Sequence, residues 1–132
     1  MRLKLGLVGV ALVLAGCATE ADKYGPIIAQ SVPPSAGIKA QIVAGASKLI
    51  YDPASIKDAE ISNVATFSDD LQGVCVRADS KNVDGNYMGV RSMGVPIRDG
   101  KAFGGILEHP ICNRADVTWY KFPELNHLKT GN

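Results

Sequence analysis

The chain of 132 residues has little excess of charge of either sign. It holds 14 Lys and Arg against 13 Asp and Glu, and the two signs are interspersed along the sequence. A protein that binds nucleic acid needs clustered basic residues, because their contacts with phosphates release counterions. The sequence therefore argues against nucleic acid as a partner.

The chain also lacks an apolar run long enough for a transmembrane helix, which takes about 20 residues. The N-terminal apolar stretch, from Leu5 to Ala15, is shorter and follows Arg2 and Lys4. It leads into Leu14-Ala15-Gly16-Cys17. Basic residues, a short apolar stretch and small residues before the cut, in this order, are typical of a cleaved export signal. These four residues resemble the lipobox of bacterial lipoproteins. The resemblance implies cleavage before Cys17, acyl chains on Cys17, and a membrane anchor through those chains.

In Gram-negative lipoproteins an Asp after the lipidated cysteine marks retention at the inner membrane, and this chain has Ala18 there. The resemblance therefore implies an outer-membrane anchor with the protein facing the periplasm. The alternative is an ordinary secretory signal in which Cys17 lies near the cut by chance. We predict a signal peptide at 1–16, a lipidated tether at 17–34, a single domain at 35–125 and a flexible tail at 126–132.

Cysteine is scarce as well, with three residues in all. Once Cys17 carries lipid, Cys75 and Cys112 remain as an even pair in an oxidising compartment, which favours a disulfide. Such a bridge would close a loop of nearly forty residues and stabilise the fold by roughly 4 kcal/mol. Two free thiols are the alternative.

Only two histidines are present, His109 and His127. His109 and Cys112 have a spacing that occurs in zinc sites, but a cysteine in a disulfide is not a ligand. Residues 80–85 imitate the start of a calcium loop, yet Arg91 occupies the position that requires a bidentate Glu. No spacing places either histidine as a base beside a nucleophile. We predict no metal, no cofactor and no catalytic activity.

The periodicity of the apolar residues predicts an α+β fold. Ser35 is placed as an N-cap, and apolar residues at three- and four-residue spacing predict an amphipathic helix that ends near Tyr51. Alternating patterns then predict strands over 59–64, 73–80, 87–97 and 101–107, with a short fifth strand over 117–122. Asp99-Gly100 suits a type I′ hairpin turn. We expect the helix to pack on a four- to five-stranded antiparallel meander sheet with one disulfide.

The second strand alternates Val74, Val76 and Ala78 with more polar positions, so one face of the sheet is predicted to carry polar side chains. We predict a possible binding surface there, formed by Arg77, Asp79, Tyr87 and Arg91. A solvated sheet face explains the same four residues equally well. The ring of Tyr87, between Gly85 and Gly89, could seat a ligand ring or the chain's own Trp119.

Residues 51–89 resemble a family of small uncharacterised exported bacterial proteins with the pattern D-P-x-S-A, V-C-G and N-x-K-N-x-x-G-x-Y-x-G. The matching positions are Asp52-Pro53-Ala54-Ser55, Cys75, Lys81-Asn82, Gly85, Tyr87 and Gly89. The chain departs from the pattern at Ile56, Val76 and Asp79. The resemblance implies a compact α+β domain with a structural cysteine, and no catalytic residue that can be transferred.

These observations predict an outer-membrane lipoprotein that is a non-catalytic accessory or binding subunit of a cell-envelope complex. Its partners would be the membrane, through Cys17, and an envelope protein. The alternative is a periplasmic inhibitor of lysozyme or a protease, or a lipoprotein that binds a soluble ligand. An inhibitor would present a protruding loop, and the only candidate in the sequence is the turn Asp84-Gly85-Asn86-Tyr87.

Overall fold

The computed structural model describes residue 9 and residues 22–129 of the chain. The predicted signal peptide, except Gly9, and Cys17 lie outside the described residues, and so do residues 130–132. The helices are α1 (Gly25–Ala29) and α2 (Ala36–Leu49), and single 3-10 turns span Pro53–Ser55, Pro110–Asn113 and Pro123–Leu125. The strands are β1 (Lys57–Ser62), β2 (Ala65–Ser68), β3 (Leu71–Asp79), β4 (Arg91–Arg98), β5 (Lys101–Ala102), β6 (Ile106–Leu107) and β7 (Trp119–Lys121).

The strands form one antiparallel sheet in the order β5-β4-β3-β1-β7, with β2 also paired to β3 and β6 also paired to β4. The predicted α+β class is confirmed, with seven strands rather than four or five. The predicted strand 101–107 is divided in the structure, because residues 103–105 separate β5 from β6 and Gly104 has a φ of +71°. Strand β2 follows the predicted strand 59–64 and was not predicted, and the predicted strand 87–97 begins only at Arg91, as β4.

Helix α2 confirms the predicted amphipathic helix. The Ser35 side chain accepts a hydrogen bond from the backbone N–H of Ile38 at 3.2 Å, which satisfies one of the free donors of the first turn. Ile38 and Ile42 are buried against the sheet. In residues 22–129 no helix has the length and hydrophobicity needed to cross a bilayer.

The side chain of Gln41 ties α2 to the hairpin between β4 and β5. Its amide nitrogen donates to the Gly100 carbonyl and its amide oxygen accepts from the Ala102 N–H, both at 2.6 Å. The hairpin turn at Asp99-Gly100 has positive φ at both residues, 52° and 73°, as predicted for type I′ geometry.

We expect Gln41→Ala to lower the free energy of unfolding by about 1 to 2 kcal/mol, because it removes two hydrogen bonds and leaves the half-buried Ala102 N–H without its acceptor. Urea unfolding of the full mature chain carrying Cys17→Ser measures the change. The exposed Lys48→Ala, on the same helix, is the matched control and should change stability by less than about 0.5 kcal/mol. An equal effect of the two substitutions would contradict the prediction.

The two faces of the sheet carry different layers. One face, the helix face, lies under α2 and holds the main core, in which Ile61, Ile97 and Phe122 are fully buried. The other, the disulfide face, holds a smaller core around Cys75, Ile111 and Cys112, covered in part by Tyr24, Ile28 and Trp119. Cys75 and Cys112 form the predicted disulfide.

Described residues on both sides of the predicted domain, 35–125, make hydrogen bonds with it. Residues 22–34, placed in the tether, contain α1 and pair with the sheet through a bridge between Val32 and Val64. At the other end, the N–H groups of His127 and Leu128 donate to the carbonyls of Ile56 and Pro53. These backbone hydrogen bonds hold residues 126–128, predicted as tail, against the start of β1.

Candidate binding site

A cavity of about 260 Å³ lies on the disulfide face of the sheet. Its floor is formed by the central strands, with Gly73 and Cys75 from β3 and Gly94 and Pro96 from β4. Direct pairing of Gly73 with Pro96 and of Cys75 with Gly94 brings these residues to one face, because opposite residues of an antiparallel pair share a face. We call this cavity the apolar pocket.

The walls of the apolar pocket come from outside the central strands. Tyr24, the N-cap of α1, and Ile28 of α1 form one side. Phe67 of β2 forms another, and Ile106 and Ile111 form the side nearest β4. The rings of Tyr24 and Phe67 meet edge to face, with centroids 6.5 Å apart and planes at 86°. Such aromatic pairs stabilise their arrangement beyond the area they bury. The pocket is therefore walled by α1 and the loop segments as well as by the sheet.

Two glycines make room for the walls. A Cβ on Gly73 would lie 2.9 Å from Cε2 of Phe67, and a Cβ on Gly94 would lie 3.1 Å from Cβ of His109. Glycine inside a strand marks places where another group approaches the backbone closely. The pocket was not predicted from the sequence, and the two glycines within adjacent predicted strands were the signal that could have indicated it.

Two polar side chains that line the apolar pocket, Ser62 and His109, are hydrogen-bonded within the fold, whereas Asn63 Oδ1, also in the lining, is buried without a hydrogen-bond partner among the described residues. Ser62 Oγ accepts from the Cys75 N–H at 2.8 Å and donates to the Asn63 carbonyl. His109 Nδ1 accepts from the Ile111 N–H at 3.2 Å and caps the following turn. A mainly apolar cavity with polar groups at a few points suits the binding of an apolar group.

A second pocket of about 250 Å³ is polar and lies on the same face. Cys75 lines the apolar pocket and Cys112 lines the polar one, so the disulfide lies between the two. Ser92 is buried there and bonds to Glu108 and Asn113 through its hydroxyl, and its N–H donates to Glu108 at 3.2 Å. Arg77 and Arg114 complete the lining together with Val90.

Arg114 joins the polar pocket to Asp22, near the N-terminal end of the segment that the structure describes. Its guanidinium donates two hydrogen bonds to Asp22, at 2.8 and 2.7 Å, and two to Asp116, both at 2.9 Å. Hydrogen bonds from Arg114 lower the pKa of Asp22 and of Asp116, and the two carboxylates raise the pKa of Arg114. The Asp22 contact fixes the chain two residues before Tyr24, and so helps to place α1 over the apolar pocket.

The docking of α1 is expected to weaken in acid. Because the pKa of Asp22 is lowered in the folded protein, its pairing with Arg114 contributes at pH values above the ordinary pKa of 3.8 and is lost as the pH falls below that value. Hydrogen exchange of the Ile28 amide, corrected for its intrinsic rate, should be faster at pH 3 than at pH 6. Asp22→Asn should give fast exchange at both pH values, whereas Asp70→Asn, an exposed control, should behave as the unchanged protein. Equal protection of Ile28 in Asp22→Asn and the unchanged protein would contradict this.

The structure separates the four residues that were predicted to share a binding surface. Arg77 is held by Glu60 at 3.2 Å and stacks on Trp119, with its guanidinium carbon 4.0 Å from the ring centroid. Asp79 is buried, 8% exposed, which leaves it little surface for a partner. Arg77 is thus the only one of the four among the residues that line the polar pocket, within the part of the chain that the structure describes.

Tyr87 and Arg91 lie elsewhere. Arg91 pairs with Ala78 and Ser92 pairs with Arg77, so Arg91 occupies the opposite face from Arg77, and the prediction of a shared face is wrong for it. Tyr87 contacts two lysines, with the ammonium of Lys57 at 3.9 Å and that of Lys81 at 5.4 Å from its ring centroid. Trp119 lies against Arg77 instead, which corrects the idea that it covers Tyr87.

No family model, curated protein or solved structure matches the chain. Within residues 22–129 no group of three His, Cys, Asp or Glu side chains is placed to hold a metal ion. The site is therefore interpreted from its own residues.

Proposed function

We propose that this protein is a non-catalytic accessory or binding subunit of a cell-envelope complex, anchored in the outer membrane by acyl chains on Cys17 and facing the periplasm. The observation that carries the proposal is the apolar pocket, whose lining of aliphatic and aromatic side chains can hold an apolar group of a partner. The lipobox supports the anchor. The disulfide is consistent with an oxidising compartment.

The rim of the pocket supplies further apolar surface. Ile106, 52% exposed, lines the pocket, and the neighbouring Leu107 and Phe103 are 66% and 43% exposed. Interfaces commonly surround a buried anchoring group with apolar contacts of this kind. A partner would insert one apolar group into the pocket and cover these three side chains.

Site-specific photocrosslinking in cells tests the proposal. Phe67, at the rim of the pocket, is replaced by p-benzoyl-phenylalanine in the full-length lipidated protein and in the same protein with Cys17→Ser. Tyr51, an aromatic that is 69% exposed and does not line the pocket, carries the probe in the control. A membrane-protein adduct at position 67 that is absent at position 51 and lost with Cys17→Ser supports the proposal. Equal adducts at both positions would overturn it.

One observation favours the inhibitor as a second candidate. The loop 82–87 is exposed for most of its length, with Val83 70% exposed, and it is braced by the Asn82 side chain, which accepts from the N–H groups of Asp84 and Asn86 at 3.0 and 3.1 Å. Inhibitors of this kind insert a rigid, protruding loop into the cleft of the target enzyme. A crosslinking probe at Val83 that captures a soluble hydrolase, equally with and without Cys17, would favour this candidate.

A further inference from the structure

We propose that the apolar pocket accepts a single acyl chain of a membrane phospholipid, in the form of a single-chain (lyso) phospholipid. The proposal rests on the anchored binding protein proposed above and names the ligand of its pocket. Its basis is the volume of the pocket, the chemistry of its walls, and the short stretch of chain between the pocket and the lipidated cysteine.

The volume fits one hydrocarbon chain. A dry cavity of about 150 Å³ lined by aliphatic and aromatic side chains holds benzene, with six carbons. At the same packing, the 260 Å³ of the apolar pocket holds about ten carbon atoms. That is enough for the greater part of one acyl chain and too little for two. A ligand with one chain is therefore favoured over an intact diacyl lipid.

The chain length outside the described residues places the pocket close to the bilayer. Asp22 lies five positions after Cys17, and an extended chain over five positions spans at most about 18 Å. Asp22 is fixed by Arg114, and Tyr24, two residues later, forms a wall of the pocket. With Cys17 acylated in the membrane, the α1 side of the pocket cannot lie far from the lipid headgroups.

The surface beside this wall has the composition of a membrane interface. Tyr24 and Phe67 meet at the pocket, and aromatic side chains are favoured at the level of the headgroups. The exposed Lys23 has its ammonium 5.2 Å from the centroid of the Tyr24 ring and can meet a phosphate group. Val32, three positions after the end of α1, is 55% exposed and adds apolar surface. An acyl chain in the pocket would thus have its headgroup beside a cation.

The test uses the full mature chain with Cys17→Ser and a series of lysophosphatidylglycerols with 6, 8, 10, 12 and 14 acyl carbons, each kept below its micelle concentration. Isothermal titration measures the affinity. Each methylene that enters the pocket should strengthen binding about fourfold, and the gain should level off at about ten carbons because the pocket is then full. Binding by no member of the series overturns the proposal, and so does an affinity that rises steadily to 14 carbons, as adsorption to a surface would give.

Two variants assign the binding to the pocket. Ala65→Leu adds bulk to its lining, and Ile28→Glu places a charge in the α1 wall; each should weaken binding of the ten-carbon lipid by at least about tenfold. Leu49→Glu, at an exposed position outside the pocket, should leave the affinity for the ten-carbon lipid within twofold of that of the unchanged protein. Thermal unfolding checks that each variant is folded. Unchanged affinity in both folded pocket variants would place the lipid elsewhere. If no lipid binds while position 67 still crosslinks to an envelope protein, the acyl-chain proposal fails and the proposed function stands.

Discussion

Replacing Cys75 and Cys112 together by alanine is expected to lower the free energy of unfolding by about 4 kcal/mol. The bridge joins residues 37 positions apart, and closing a loop of this length in the unfolded chain accounts for a loss of that size in the chain-entropy model. A small domain has a total stability of about 5 to 15 kcal/mol, so much of it would be lost. Urea unfolding of the double variant in the Cys17→Ser background measures the change.

The same double substitution should affect one face of the sheet more than the other. Cys112 lies in the turn Pro110–Asn113, and Ile111 of this turn lines the apolar pocket, so the pocket loses the covalent support of one wall. Hydrogen exchange should increase at the amides of residues 112 and 114 well before it increases in α2. The reduced but unsubstituted protein is the control and should show the same pattern. A loss below about 1 kcal/mol with unchanged exchange in this turn would contradict the prediction.

The parts of the fold that the sequence predicted well depend on local signals. The N-cap at Ser35 and the spacing of Ile38 and Ile42 indicate α2, since a helix needs only residues three and four apart to define its buried stripe. Asp99-Gly100 indicates the hairpin, because two positive φ angles are costly for most other residue pairs. Each of these features is encoded within a few residues.

Register between strands is not encoded in this way, and the predicted binding surface failed there. The alternation of apolar and polar residues within one strand shows which of its own residues share a face. It does not show which residues of the neighbouring strand lie on that same face of the sheet, because this depends on the pairing register. Pairing of Arg91 with Ala78 puts Arg91 with the residues of the helix face. A bulge between Lys57 and Glu60 further shifts the register at the start of β1. The four polar residues were therefore assigned to one surface that the sheet does not form.

Helix α1 lies in the stretch predicted as a tether, where Gly25-Pro26 and Pro33-Pro34 argue against regular structure. Pro26 lies in the first turn of α1. The N–H groups of a first turn have no acceptor within the helix, so proline loses no hydrogen bond there, and its fixed φ is favourable. The docking of Tyr24 and Ile28 on the disulfide core involves residues nearly ninety positions later, such as Ile111. A five-residue helix depends on such distant contacts for its stability, so local sequence patterns give little sign of it.

Phe122→Ala should be the most damaging single substitution on the helix face, with an expected loss of about 3 to 5 kcal/mol. The Phe122 side chain is fully buried in the main core, and its N–H donates to the Ala59 carbonyl at 2.8 Å, which holds the segment after β7 against β1. Truncation leaves a cavity that the surrounding strands cannot close, because α2 is fixed from the other side by Gln41.

A comparison with an exposed phenylalanine isolates the effect of burial. Phe103 lies in the loop between β5 and β6 and is 43% exposed. Phe103→Ala should lower the free energy of unfolding by less than about 1 kcal/mol. Phe122→Leu, which keeps most of the apolar volume, should fall between the two alanine variants.

The loss at Phe122 acts on the helix face, whereas removal of the disulfide acts on the opposite face. If the two layers are independent, combining the substitutions in one chain should give the sum of their separate losses, and the apolar pocket should keep its affinity for an acyl chain in folded Phe122→Leu.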